Sequence, residues 1–105
     1  MNIPEKIRIN GIDYEIKEVI GLNDGTRVLC GQTTFAETLI ELNADKLSHQ
    51  YKAVTLWHEI FHVIEGTNGL DFGENKEKVI DTLAFAVNQI LEDNKNELFG
   101  EKQTD

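Results

Sequence analysis

Apolar and polar residues alternate from Ile7 to Lys17, the two-residue period of a strand with one buried face. Ile7-Arg8-Ile9 is separated from Ile12-Asp13-Tyr14-Glu15-Ile16-Lys17 by Asn10-Gly11. That dipeptide suits the positive φ angles of a tight hairpin turn, so a β-hairpin is expected. Gly21 to Gly25 reads as a loop. Arg27 to Gln32 reads as a third strand, the polar stretch Gln32 to Glu37 as a connection, and Thr38 to Leu42 as a fourth strand.

After Asn43 the period changes. Asn43, Asp45 or Ser48 can cap a first turn, and the pattern that follows is helical to about Glu65. At about 100° per residue, Ala53, Leu56, Trp57, Ile60, Phe61, Val63 and Ile64 share an apolar arc. Tyr51, Thr55, His58, His62 and Glu65 share the opposite, polar arc. A helix with this phase packs its back into a core and turns its front to a cleft. Gly66 is read as the glycine that ends it. Thr67 to Asn75 is a glycine-bearing connection. A second helix is expected from Asn75 to Asn94, with Val79, Ile80, Leu83, Ala86, Val87, Ile90 and Leu91 as its apolar stripe. Glu77, Asp81, Ala84 and Asn88 run along one edge. The sum is one α+β domain over residues 1–94: an N-terminal antiparallel sheet of about four strands, then two helices. The polar tail 95–105 is expected to fray.

Composition narrows the function classes. Nineteen acidic residues against ten basic ones give a net charge of −9. Phosphate contacts need clustered Lys and Arg, so nucleic acid is not an expected partner. No apolar run is long enough to span a membrane, and residues 1–6 lack the apolar core of a secretory signal. Cys30 is the single cysteine, so no intrachain disulfide can form, which suits a reducing cytoplasm. Its setting, Val28-Leu29-Cys30, predicts a buried strand residue. The sharper alternative is a thiolate that caps a metal in a latent state.

The candidate chemistry lies in His58-Glu59-Ile60-Phe61-His62. It reads H-E-x-x-H, a zinc-binding and catalytic pattern of metallopeptidases. Four residues apart on a helix, the two imidazoles stand one turn apart on one face and can reach one ion. Glu59 is rotated by about 100° from His58 and flanks the ion. A carboxylate there suits the general base that takes a proton from a zinc-activated water. Hydrolytic zinc usually has three protein ligands and an open position. His49 lies two and a half turns back on the other side of the helix and is a poor third ligand. A carboxylate of the second helix is the natural one. Glu74, Glu77 and Asp81 are all available there, and the bland reading makes them a solvated acidic helix start.

The H-E-x-x-H segment followed by Glu77-Lys78-Val79-Ile80-Asp81-Thr82-Leu83-Ala84 resembles the ImmA/IrrE-type metallopeptidases of bacteria and their phages. Those proteins follow H-E-x-x-H with a pattern like E-x-x-A-D-x-F-A. Ala84 matches it, while Ile80 and Leu83 stand where a small and an aromatic residue are usual. The resemblance spans about Leu42 to Leu91. It implies a small zincin-like domain. Members usually carry a helix before the sheet, and since none is evident here before Asn43 the chain looks like a minimal, phage-style form. It implies that Glu77 is the third zinc ligand and that Asp81 orients a ligand histidine from behind. It also implies an extended peptide substrate added to the strand at Thr38 to Leu42. Tyr51 and Thr55 share the metal face, and a packing role is expected for them ahead of one as oxyanion donor. The expected function is zinc-dependent hydrolysis of a peptide or protein in a bacterial cytoplasm, with Glu59 catalytic. The alternative is a zinc-stabilised binding module without turnover.

Overall fold

The computed structural model describes residues 2–100. Four strands precede three helices: β1 (Lys6–Ile9), β2 (Ile12–Val19), β3 (Gly31–Thr34), β4 (Leu39–Asn43), α1 (His49–Asn68), α2 (Lys76–Asp93) and α3 (Lys95–Phe99). The α+β class follows the sequence pattern. In the polar tail, Lys95 to Phe99 form a short helical turn. Residues 101–105 of that tail lie outside the described residues.

The sheet is mixed, not antiparallel. Its order is β1-β2-β4-β3. β1 and β2 form the expected hairpin, with Ile9 opposite Ile12 and positive φ at Asn10 and Gly11. β2 then pairs parallel with β4, and β3 pairs antiparallel with β4 at the far side. The chain leaves β2, skips one strand position, descends as β3 and returns as β4 to fill the gap. Alternation marks strands but is blind to their spatial order and direction, so the expected all-antiparallel sheet is corrected to a mixed one. The third strand also begins later than expected, at Gly31. Arg27 to Cys30 belong to the loop, and Cys30 is exposed, not buried.

The long β2–β3 loop is held from two sides. Asn43 is fully buried at the end of β4. Its amide donates to the carbonyls of Leu29 at 2.9 Å and Leu22 at 3.5 Å, and its side-chain oxygen accepts from Asp45 and Lys46 N–H. It is thus a brace between two loops and does not cap the helix. At the loop tip, Asp24 accepts from the Thr26 hydroxyl at 2.7 Å and from the N–H groups of Thr26 and Arg27. The Thr26 hydroxyl bond, then these backbone bonds, hold the Asp24 carboxyl down at a pKa of about 2 against an ordinary 3.8. A depressed folded-state pKa stabilises the fold above the ordinary value and ceases to do so as pH falls through the lower one. The Asp24 resonance in an NMR titration should therefore move near pH 2. Ordering of the loop tip should fade as pH falls from about 4 to about 2.

One sheet face carries the core. Tyr14, Ile16, Ile40 and Leu42 pack against Leu56, Ile60 and Val63 of α1. Asp13, Glu15 and Lys17 on the other face of β2 are exposed, as a one-sided sheet requires. Ser48 caps α1, its hydroxyl accepting from Tyr51 N–H at 3.1 Å. The helix runs past Gly66 to a left-handed cap at Gly69. Gly66 is there for space: a Cβ on it would sit 3.2 Å from the Phe35 ring. α2 folds back along α1 and buries Ile80 and Ala84 fully. Ala86 and Ile90, expected in its stripe, face outward. Among the described residues, no helix is long and apolar enough to cross a membrane.

Candidate metal centre

Helix geometry alone brings His58 and His62 together, with their Nε2 atoms 3.1 Å apart. What brings Glu77 to them is the α1–α2 connection. Glu65 lies one turn beyond His62 and is part-buried. Its carboxylate accepts from Phe72 N–H at 3.2 Å and lies 3.8 Å from Lys76 Nζ. Asp71 accepts from Gly73 N–H, and Gly73 takes a positive φ that turns the chain into α2. The first turn of α2 then faces the histidines. Glu77 Oε2 lies 3.3 Å from His58 Nε2, and Oε1 lies 3.3 Å from His62 Nε2.

One turn further along α2, Asp81 Oδ1 meets His58 Nδ1 at 2.7 Å. A carboxylate accepts, so Nδ1 donates in this bond, while Nε2 lies toward Glu77 and His62. Donor atoms of His58, His62 and Glu77 all lie within 4.8 Å of one another, so this group could hold a metal ion. The chemistry of the donor set fits such an ion. Ligands about 2.0–2.1 Å from a tetrahedral ion stand roughly 3.3 Å from each other, close to the spacing found here.

Glu59 reaches toward β3 from the same helix. It is only 7% exposed. Its Oε1 accepts from the Thr33 hydroxyl at 2.7 Å. Burial pushes its carboxyl above the usual carboxylate range, and the Thr33 hydroxyl and the neighbouring His58 and His62 offset part of that rise. Glu59 shares a cleft of ≈ 260 Å³ with His58, Asp81 and the exposed Cys30. His49 stays at the exposed start of α1.

Two residues of the site escaped the sequence reading. Thr33 fell in a stretch read as a connection. Gly31 lets β3 approach α1: a Cβ there would lie 2.8 Å from Thr55 Cγ2 and 3.2 Å from Glu59 Cγ. The available signal was a glycine inside a β-prone run, which often marks close backbone approach. Thr55 is accordingly buried under the strand and serves packing. Gly31→Ala should force the strand and helix apart and cost about 1–3 kcal/mol, read as a lower denaturation midpoint with an unchanged slope. A midpoint equal to wild type would mean that the approach is not tight.

The strand implied for substrate pairing also changes. β4 is flanked by β2 and β3, so Thr38 to Leu42 present no free edge. The edge beside Glu59 is β3. No family model, curated protein or solved structure matches this chain in the comparisons made with each.

Proposed function

We propose that the protein is a zinc-dependent peptidase with a zincin-like arrangement. The observation that carries the reading is the grouping of His58, His62 and Glu77, with Asp81 on His58, beside the cleft that His58, Asp81 and Glu59 line. His58, His62 and Glu77 would hold the ion. Zinc at such a site supplies positive charge that lowers the pKa of water and polarises a carbonyl.

The chain's own residues do the rest. Asp81 keeps the His58 ring oriented through Nδ1. Thr33 fixes Glu59 through Oε1 and leaves Oε2 to receive a proton from the attacking water. Glu59 passes that proton to the departing nitrogen as the peptide C–N bond breaks and the hydroxyl stays on the carbonyl carbon. The outer edge of β3, which pairs with no strand among the described residues, offers N–H and C=O groups to an extended peptide. Three donors in place of four among the described residues, with a buried glutamate alongside, favour catalysis over a closed structural site.

The test is direct. Zinc-loaded and chelator-treated protein are each incubated with a mixture of unfolded proteins, and new termini are sought by mass spectrometry. The expected result is a set of cleavages that needs the metal. A digest with no zinc-dependent termini would remove the peptidase reading and leave a binding role.

A further inference from the structure

An aromatic pair stands at the mouth of the cleft and takes no part in the chemistry described above. Tyr51 of α1 and Phe85 of α2 meet edge to face, with centroids 6.1 Å apart. They are 46% and 50% exposed. Both line the cleft that contains His58 and Glu59. With Val54 they also line a second cavity of ≈ 580 Å³, which continues between α1 and α2 away from the catalytic cluster. The two spaces thus share one apolar neck. Two large rings held half in water, where the two cavities share their lining, form a surface that gains from being covered.

We propose that this neck is a side-chain subsite, and that it selects peptides with a large apolar residue flanking the cleaved bond. The proposal rests on the peptidase reading and names its substrate class. An extended peptide sends alternate side chains to opposite faces. When its carbonyl lies over His58 and Glu59, a neighbouring side chain pointing down packs against the exposed surface of the Tyr51–Phe85 pair. The rings and Val54 offer that side chain apolar contact. Asp81 at the near rim and Asp93 at the far end oppose an acidic one. The net charge of −9 acts in the same sense.

Acetylated peptides that copy one observed cleavage site test this, varied only at each residue flanking the bond: Phe, Leu, Ala or Glu. At one flanking position, wild type should show kcat/KM for Phe and Leu about tenfold or more above Ala, with Glu lowest. Phe85→Ala should bring the Phe-to-Ala ratio close to one, and Phe85→Leu should restore part of it. Tyr51→Ala, on the other helix, should lower the same ratio. A loss of fold would lower all peptides together and would not change a ratio. Equal rates for all four side chains at both positions would overturn the subsite while leaving the peptidase reading intact. If no peptide is cleaved, the peptidase reading fails, and binding decides the subsite separately. N-acetylphenylalaninamide should then shift the Tyr51, Val54 and Phe85 amide signals in NMR, N-acetylalaninamide should not, and the Phe85→Ala protein should respond to neither. An absence of selective shifts would overturn the subsite as well.

Discussion

Glu59→Gln is expected to keep the fold and the metal while lowering zinc-dependent peptide hydrolysis by about 10²–10⁴-fold, the usual share of a general base. The substitution keeps shape and helix propensity. It also keeps an oxygen that can accept from the Thr33 hydroxyl, which lies 2.7 Å from Glu59 Oε1. What it removes is a carboxylate that can take a proton. The residue is buried, and burial raises its proton affinity. Such a carboxyl costs the metal-free fold some stability when ionised, so the amide should not weaken the protein. Cleavage of the same peptide by wild type and Glu59→Gln should be compared at equal zinc content. Equal rates would show that Glu59 is not the base.

Loss of metal should be the other large effect. Wild type is expected to bind one zinc per chain. His62→Ala and Glu77→Ala each remove one of three donors and should lower zinc affinity by more than the 10–100-fold typical of an orienting partner. Asp81→Asn should fall within that 10–100-fold range, because it alters only the support of His58 Nδ1. His49→Ala, at the exposed start of α1, should bind zinc like wild type. Elemental analysis after dialysis gives the stoichiometry, and competition with a chelator gives the affinities. Zinc should also raise the melting temperature of wild type by mass action, and much less that of His62→Ala. Unchanged zinc content in both His62→Ala and Glu77→Ala would sink the assignment. So would a requirement for a fourth protein ligand, which would point to a structural site.

Local order was legible wherever a short-range rule applied. The β1–β2 hairpin followed from alternation around Asn10-Gly11. The shared face of His58 and His62 followed from 3.6 residues per turn. The Ser48 cap was one of three candidates, and the hydrogen bond to Tyr51 N–H selects it. The misreadings have a common cause. Gly66 looked like a helix end because glycine usually ends helices. It stays inside α1 because Phe35, thirty-one positions earlier, needs the room. Cys30 looked like a core residue because its neighbours are apolar, but Asn43 pulls the Leu22 and Leu29 carbonyls onto the end of β4. Cys30 is left exposed in the loop that precedes β3.

By itself, then, the sequence determined the element types, the one-sided core and the histidine pair, because each depends on neighbours within a turn or a strand. It narrowed the third donor to a few carboxylates and went no further without a family resemblance. Tertiary structure decided the rest. The exchange of β3 and β4 in the sheet made β3 the free edge. The Glu65-braced turn chose Glu77 to face both imidazoles and put Asp81 behind His58. The close approach of Gly31 buried Glu59 under Thr33. Each of these contacts joins segments many residues apart. Their formation depends on which apolar faces pack together and how the loops between them close, and no local period in the chain encodes that choice.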